Sequence, residues 1–271
     1  MIIGKPTVTG NLMENKKTLG QHWLTDDATI EDIVKLAELN KIDNVLEIGS
    51  GLGNMTAKLV KQSKTVIAVE LDKDLADKLR DNQLAPNLTI HNQDILKFNL
   101  SDLPPSYKVV ANIPYYLTSN LLRLLCEAEN HFSKAVILVQ KEVAERVAAP
   151  PGKMSLLSVS VQFYCKARLG PVVLAKAFNP PPKVDSQVII LDYHSQPIFP
   201  DVDPSAFFRT VKAGFSQRRK TLLNSLSAGL RIDKRDLGEV LEKLQIPISA
   251  RPQTLSLDNW YKIYQKVNPA E

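Results

Sequence analysis

Val45-Leu46-Glu47-Ile48-Gly49-Ser50-Gly51-Leu52-Gly53 decides the reading of this chain. A short apolar run ends in three glycines at alternate positions, and a helix-compatible segment over residues 54–61 follows at once. The spacing predicts a buried strand, a tight turn and a helix whose first amides stay open. Glycine suits such a turn because it accepts positive φ and lets a ligand approach the backbone. A second apolar run, Thr65-Val66-Ile67-Ala68-Val69, ends at Glu70. That carboxylate lies about one strand-helix-strand unit beyond the glycines, where it would accept from a ribose diol. The glycines alone also fit a tight turn with no ligand. Glu70 after an apolar strand favours the ligand.

Outward from this core the pattern repeats. Upstream, residues 1–15 show no periodicity and are expected to be mobile. A polar and aromatic loop over residues 16–26 includes His22, Trp23 and Leu24, and Asp26 or Thr25 caps a helix over residues 28–39. The loop is placed to cover a ligand, with Trp23 equally readable as a core anchor. Downstream, a helix over residues 73–83 leads to a strand at Leu88-Thr89-Ile90, with Asp94 just beyond it. A carboxylate there points to the ligand crevice of an open sheet and could accept from an adenine amino group, or it could cap a helix. A fourth strand, Lys108-Val109-Val110-Ala111, runs into Asn112-Ile113-Pro114-Tyr115, and a helix over 119–128, a strand over 135–139 and a helix over 141–148 follow. Five strands with intervening helices predict a doubly wound α/β domain. Residues 155–163 fit either strand or helix. Strands over 172–177 and 187–191 suggest an antiparallel hairpin on the sheet edge, residues 197–204 a linker, and residues 205–266 a small all-helical domain. The expected division is 1–196 and 197–271.

Composition narrows the function classes. The 271 residues suffice for one substantial core and a smaller second one. No run of about 18 apolar residues exists, so no helical membrane span is expected, and the N-terminus shows no secretory signal. Only two cysteines occur, Cys126 and Cys165, which read as buried small residues in a reducing, cytoplasmic setting. No metal-site spacing is met. The net charge of +5 fits a polyanionic partner without requiring one. Arg209, Lys212, Arg218, Arg219 and Lys220 fall in a stretch free of Asp and Glu, which suits either a nucleic-acid contact or a solvated helix face.

The sharpest local signal is Asn112-Ile113-Pro114-Tyr115. It stands where an open sheet presents its active-site edge. An aromatic amine attacks poorly because its lone pair is delocalised into the ring. The Asn112 side-chain oxygen and the Pro114 carbonyl could both accept its hydrogens, favouring the positive charge that builds on nitrogen as a bond forms. Tyr115 offers a flat face for base stacking. Phe178, followed by three prolines, would alone read as a core residue, but beside the Asn112 motif it reads as a ring held exposed, and with Tyr115 it could sandwich a base turned out of its stack.

Taken together, residues 19–24, 47–53, 112–115 and 178–186 resemble the ribosomal RNA adenine N6-dimethyltransferase family, and residues 214–222 and 251–257 resemble the C-terminal domain of its bacterial housekeeping branch. The resemblance covers nearly the whole chain from Lys16. It implies a Rossmann-like S-adenosylmethionine-dependent methyltransferase domain with a small C-terminal all-helical domain. It also implies dimethylation of two adjacent adenosines in the hairpin loop near the 3′ end of 16S rRNA. The cofactor implied is S-adenosyl-L-methionine, with no metal, and the partner is 16S rRNA within the immature or 30S small subunit, with no membrane and a monomeric enzyme. By position, His22, Leu24, Gly49, Gly51, Glu70, Asp94 and Asn112 would bind the cofactor. Asn112, Pro114 and Tyr115 would position the target nitrogen, and Phe178 would stack on the base. The chain departs from the family pattern at His22, where Asn is usual, at Trp23, where Phe is usual, at Ser50, and in a shortened 151–156 segment. Three alternatives stay open on the sequence: methylation of large-subunit RNA, a non-enzymatic assembly or transcription factor, and a nicotinamide-dependent dehydrogenase.

Overall fold

The computed structural model describes residues 21–217 and 219–268. The segments expected at 1–15 and 16–20, and Arg218, lie outside them. A short strand β1 (Trp23–Leu24) and helix α1 (Asp27–Leu36) precede the alternating core. That core runs β2 (Asn44–Ile48), α2 (Thr56–Gln62), β3 (Thr65–Glu70), α3 (Lys73–Asp81), β4 (Leu88–Asn92), β5 (Lys108–Asn112), α4 (Thr118–Glu127), β6 (Lys134–Gln140), α5 (Lys141–Val147) and α6 (Leu156–Gln162). Then come β7 (Cys165–Val173), β8 (Phe178–Asn179), β9 (Ser186–Tyr193) and helices α7 (Pro204–Phe215), α8 (Leu222–Leu230), α9 (Lys234–Lys243) and α10 (Leu257–Val267).

Seven strands form one sheet in the order β4-β3-β2-β5-β6-β9-β7. The first five are parallel, while β9 runs antiparallel to both β6 and β7. Chain order therefore reverses between β2 and β5, and the crevice lies beyond their C-terminal ends. Gly49 follows one strand and Asn112 ends the other. Both faces of the sheet are covered, which is why the central strands read as unbroken apolar runs. Val109 and Ala111 pack under one layer with Leu121, Leu122 and Leu125 of α4. Val110 faces the other layer, with Ile30 and Ile33 of α1 and Leu59 of α2.

Several expectations change in detail. Residues 156–162 are a helix, because the Ser155 and Ser158 side chains each bond the other's backbone amide as a capping box. The expected strand at 172–177 starts earlier, at Cys165, and residues 175–177 form a 3₁₀ turn. The expected linker at 197–204 is packed down: Phe199 is buried, its ring stacks on Tyr261 at 4.3 Å, and Asp201 accepts from the Tyr261 hydroxyl. The third core joins α7–α10 to Met154, Val159 and Phe163 from the region of α6. Cys126 and Cys165 are buried free thiols with sulfurs 3.9 Å apart.

Candidate active site

The glycine turn bends through φ values of +76° at Gly49, +53° at Gly51 and +82° at Gly53. Only Gly49 is closed in by main chain: a Cβ there would stand 2.9 Å from the backbone oxygen of Asn112, whereas at Gly51 and Gly53 the nearest atoms are side-chain ones. The missing side chain thus brings the ends of β2 and β5 together. One amide of the turn is already engaged, since Gly51 donates to Glu70 Oε2 at 2.9 Å, while Glu70 Oε1 accepts from the Asp72 amide at 2.9 Å. Burial pushes the Glu70 carboxyl up from its ordinary value, against the pull of those amides. Behind the turn, Glu47 is fully buried and burial lifts its carboxyl to about 8, with the neighbouring Glu70 adding to the shift.

Asp94 is a cap, one of its two readings, and stands at the cavity wall. Its Oδ1 caps the 3₁₀ turn Ile95–Lys97 through the Leu96 amide at 3.0 Å, and the residue lines the cavity. Asn112 ends β5 half-buried, and among the described residues its carboxamide makes no hydrogen bond. The Pro114 carbonyl accepts the Leu117 amide at 3.0 Å, which leaves its second lone pair unused by that bond. The Tyr115 hydroxyl meets buried Ser186 Oγ at 2.7 Å, and burial raises its pKa. The Tyr115 ring stacks on His22 with centroids 6.1 Å apart.

Phe178 corrects the sequence reading. Its ring is 4% exposed and packs with Leu24 and Ile30, so the proline loop does not hold it out in solvent. The reason is non-local: β1 pairs antiparallel with β8, Leu24 opposite Phe178 and Trp23 opposite Asn179. Leu24 is likewise buried, and His22 Nδ1 lies 2.8 Å from the Pro180 carbonyl.

The site residues expected from the sequence, His22, Leu24, Gly49, Gly51, Glu70, Asp94, Asn112, Pro114, Tyr115 and Phe178, all border one cavity of about 210 Å³. The glycine turn and Asn112 thus share one cavity. Sequence reasoning missed Leu71 and Leu96, apolar rim residues 50% and 37% exposed, and Tyr116, 65% exposed. Their signal was an apolar side chain directly after Glu70, two places after Asp94, and after Tyr115. Ser186 had no local signal.

A doubly wound sheet with a glycine turn after its first core strand, a carboxylate ending the next and a cavity at the reversal point is a Rossmann-like methyltransferase domain, here with a C-terminal helical bundle. The model of the ribosomal RNA adenine dimethylase family matches residues 12–268, and the chain belongs to that family and is a methyltransferase. A Dehalococcoides mccartyi protein named ribosomal RNA small subunit methyltransferase A is 40% identical over 264 residues, covering 96% of this chain and 91% of its own. A Clostridium botulinum protein of the same name is 40% identical over 253 residues, covering 91% and 92%. Among solved structures, a dimethyladenosine transferase from Plasmodium falciparum superposes with a TM-score of 0.81 at 28% identity, covering 91% of this chain and 98% of that one. The 23S rRNA methyltransferase ErmE gives 0.74 at 26% identity, covering 91% and 99%.

Proposed function

We propose that this enzyme transfers methyl groups from S-adenosyl-L-methionine to N6 of two adjacent adenosines in the hairpin loop near the 3′ end of 16S rRNA, two per base, during small-subunit biogenesis. The observation that carries the reading is the unengaged Asn112 carboxamide, which opens on the same cavity as the glycine turn.

The lining fits the donor. Gly49 and Gly51 let it approach the backbone, Glu70 and Asp94 supply acceptors for ribose and adenine, and apolar Leu71 and Leu96 flank those carboxylates. His22 and Leu24 close the methionine side. When bound, the donor supplies an electrophilic methyl carbon. The chain's own part is to hold the adenine amine. In the first transfer the Asn112 oxygen and the free lone pair of the Pro114 carbonyl accept its two hydrogens. In the second, one of them accepts the single hydrogen that remains. Charge developing on nitrogen is thus stabilised without a strong base until the nitrogen sheds a proton to solvent. Tyr115 backs the base with its ring, and Phe178 contributes the part of its ring that lines the cavity. Holding nitrogen and methyl carbon in one cavity supplies the proximity term.

Two relatives named for the small subunit, each 40% identical over nine-tenths of the chain, support the small subunit as the target. Residues 1–196 would carry the chemistry. Residues 197–271 would sit on the RNA, where Arg209, Lys212, Arg219 and Lys220 are exposed and free of carboxylate partners among the described residues. The working form would be a cytoplasmic monomer on the immature or 30S subunit. Mass spectrometry of small-subunit RNA from a strain lacking the gene tests the reading. Loss of dimethyladenosine at both sites is expected, and unchanged dimethyladenosine would overturn it.

A further inference from the structure

Tyr116 stands apart from the other rings of this chain. Of the eight Phe, seven Tyr and two Trp residues, all of them among the described residues, it alone is exposed, and the rest are buried or partly buried. It lies on the rim of the candidate active site, lining the cavity beside Asn112, Pro114 and Tyr115. Among the described residues its hydroxyl makes no hydrogen bond and its ring meets no other ring. Aromatic surface is a large part of what holds a core together. A chain that covers every other ring and leaves this one in water, at the mouth of its cavity, offers it to a ligand.

Local geometry fixes where the ring can reach. Residues Tyr115–Leu117 form a 3₁₀ turn between β5 and α4. The Leu117 amide donates to the Pro114 carbonyl at 3.0 Å, and Thr118 Oγ1 donates to the Tyr115 carbonyl at 2.9 Å, so the turn is tied at both ends. With three residues per turn, neighbouring side chains leave a 3₁₀ axis roughly 120° apart. Tyr115 is held by Ser186 and His22. Tyr116 therefore cannot lie on the same base as Tyr115, and it faces the strand that carries that base.

We propose that Tyr116 is a second stacking platform, which takes the base next to the target adenosine in the RNA chain while the target occupies the cavity. The inference rests on the RNA substrate proposed above. Turning an adenosine out of its stack strips one face of its neighbour as well, and that lost stacking is part of the cost of bringing the amine to the enzyme. A flat ring at the cavity mouth covers the stripped face. Such stacking accepts any base, because every base has a π-face. One ring can therefore serve both target adenosines in turn, whatever base lies beside each. Tyr116 lowers the cost of base turning and takes no part in the methyl transfer itself.

The test is labelled-methyl transfer to unmethylated small subunits. Tyr116→Ala should lower kcat/KM by about five- to hundredfold, the loss of one stacked base, with S-adenosylhomocysteine affinity within about twofold of wild type. Tyr116→Phe and Tyr116→Trp keep a flat ring and should stay within about threefold. Tyr116→Leu keeps apolar bulk without a flat face and should behave as Tyr116→Ala. A thermal midpoint within a few degrees of wild type shows that each variant is folded. Particles are then rebuilt with 16S rRNA carrying an abasic nucleotide on the 5′ or the 3′ side of the adenosine followed. On one of these two substrates, Tyr116→Ala and wild type should transfer equally fast, because the ring has lost its partner. The full loss persisting on both abasic substrates would overturn the inference, as would Tyr116→Leu or Tyr116→Ala matching wild type on intact RNA, with the functional reading left standing. Weakened S-adenosylhomocysteine binding in Tyr116→Ala would put the ring at the donor and overturn it too. Failure of the wild type to methylate small subunits at all would overturn both.

Discussion

Alanine at Gly49 probes the contact on which the cavity is built. Its φ of +76° is a conformation that costs an L side chain about 1–2 kcal/mol. Its Cβ would also come within 2.9 Å of the Asn112 backbone oxygen, whereas a relaxed carbon–oxygen contact is roughly 3.3–3.6 Å. Main chain must therefore move by about half an ångström, and the residue that moves is the one proposed to hold the amine. Strain and displacement together should cost on the order of 2–4 kcal/mol, a fall in Tm of roughly 5–10 °C. A misplacement of about 1 Å in an active site is worth about 100-fold, so half that distance should lower kcat for methyl transfer by about tenfold or more. Gly53→Ala is the matched control. Its φ of +82° is equally unfavourable, but the added Cβ would meet Leu79 Cδ1, the end of a flexible side chain that can turn aside. Gly53→Ala should lose stability and keep kcat within about threefold. Labelled-methyl transfer to unmethylated small subunits, run beside thermal unfolding, separates the two. Equal loss of kcat in both variants, or none in Gly49→Ala, would refute the idea that the Gly49 approach positions Asn112.

Three further outcomes follow from the packing. In Glu47→Gln the pH dependence of stability should flatten. The folded chain keeps a proton on Glu47 up to about pH 8, whereas its ordinary value is 4.5, so the stability carried by the neutral carboxyl is full below that value and drains away as pH rises through 8. Wild type should lose Tm relative to Glu47→Gln between pH 5 and 9, and parallel curves would contradict this. Gly214→Ala would place a Cβ 2.4 Å and 2.9 Å from two atoms of the buried Trp260 ring, so differential scanning calorimetry should show a loss of about 1–3 kcal/mol. An unchanged midpoint would mean that the helical core repacks freely there. Tyr115→Phe leaves Ser186 Oγ without its partner but keeps the ring over His22. It should cost about 1 kcal/mol of stability and less than tenfold in rate, while Tyr115→Ala should lose far more rate.

The central sheet was legible because its strands are buried on both faces and read as continuous apolar runs ending in chemistry-bearing residues: Gly49, Glu70, Asp94 and Asn112 follow or close successive strands. The edge was harder. Strand β7 is largely exposed and contains Gly170 and Pro171, so Cys165 to Leu169 carries no clear alternation and only its end was read. Residues 155–163 alternate Ser and Val in a way that suits a strand, and the helix is decided by the reciprocal Ser155–Ser158 cap. At the site, local motifs located each wall but not their mutual contacts. Burial of Phe178 depends on pairing with a segment more than 150 residues earlier, and no window of sequence contains both. The same distance in sequence separates His22 from Pro180. Engagement of the Pro114 carbonyl by Leu117 is a property of the 3₁₀ turn that follows, which the tetrapeptide alone does not specify.

The most direct test is reconstituted methyl transfer. Purified enzyme is given labelled S-adenosyl-L-methionine with unmethylated small subunits or with large subunits, and the labelled positions are mapped for wild type and Asn112→Ala. Two adjacent adenosines near the 3′ end of 16S rRNA should each gain two methyl groups, and Asn112→Ala should slow this by about 100-fold or more while still binding particles. Label appearing in large-subunit RNA, or transfer that continues undiminished without the Asn112 carboxamide, would contradict the account.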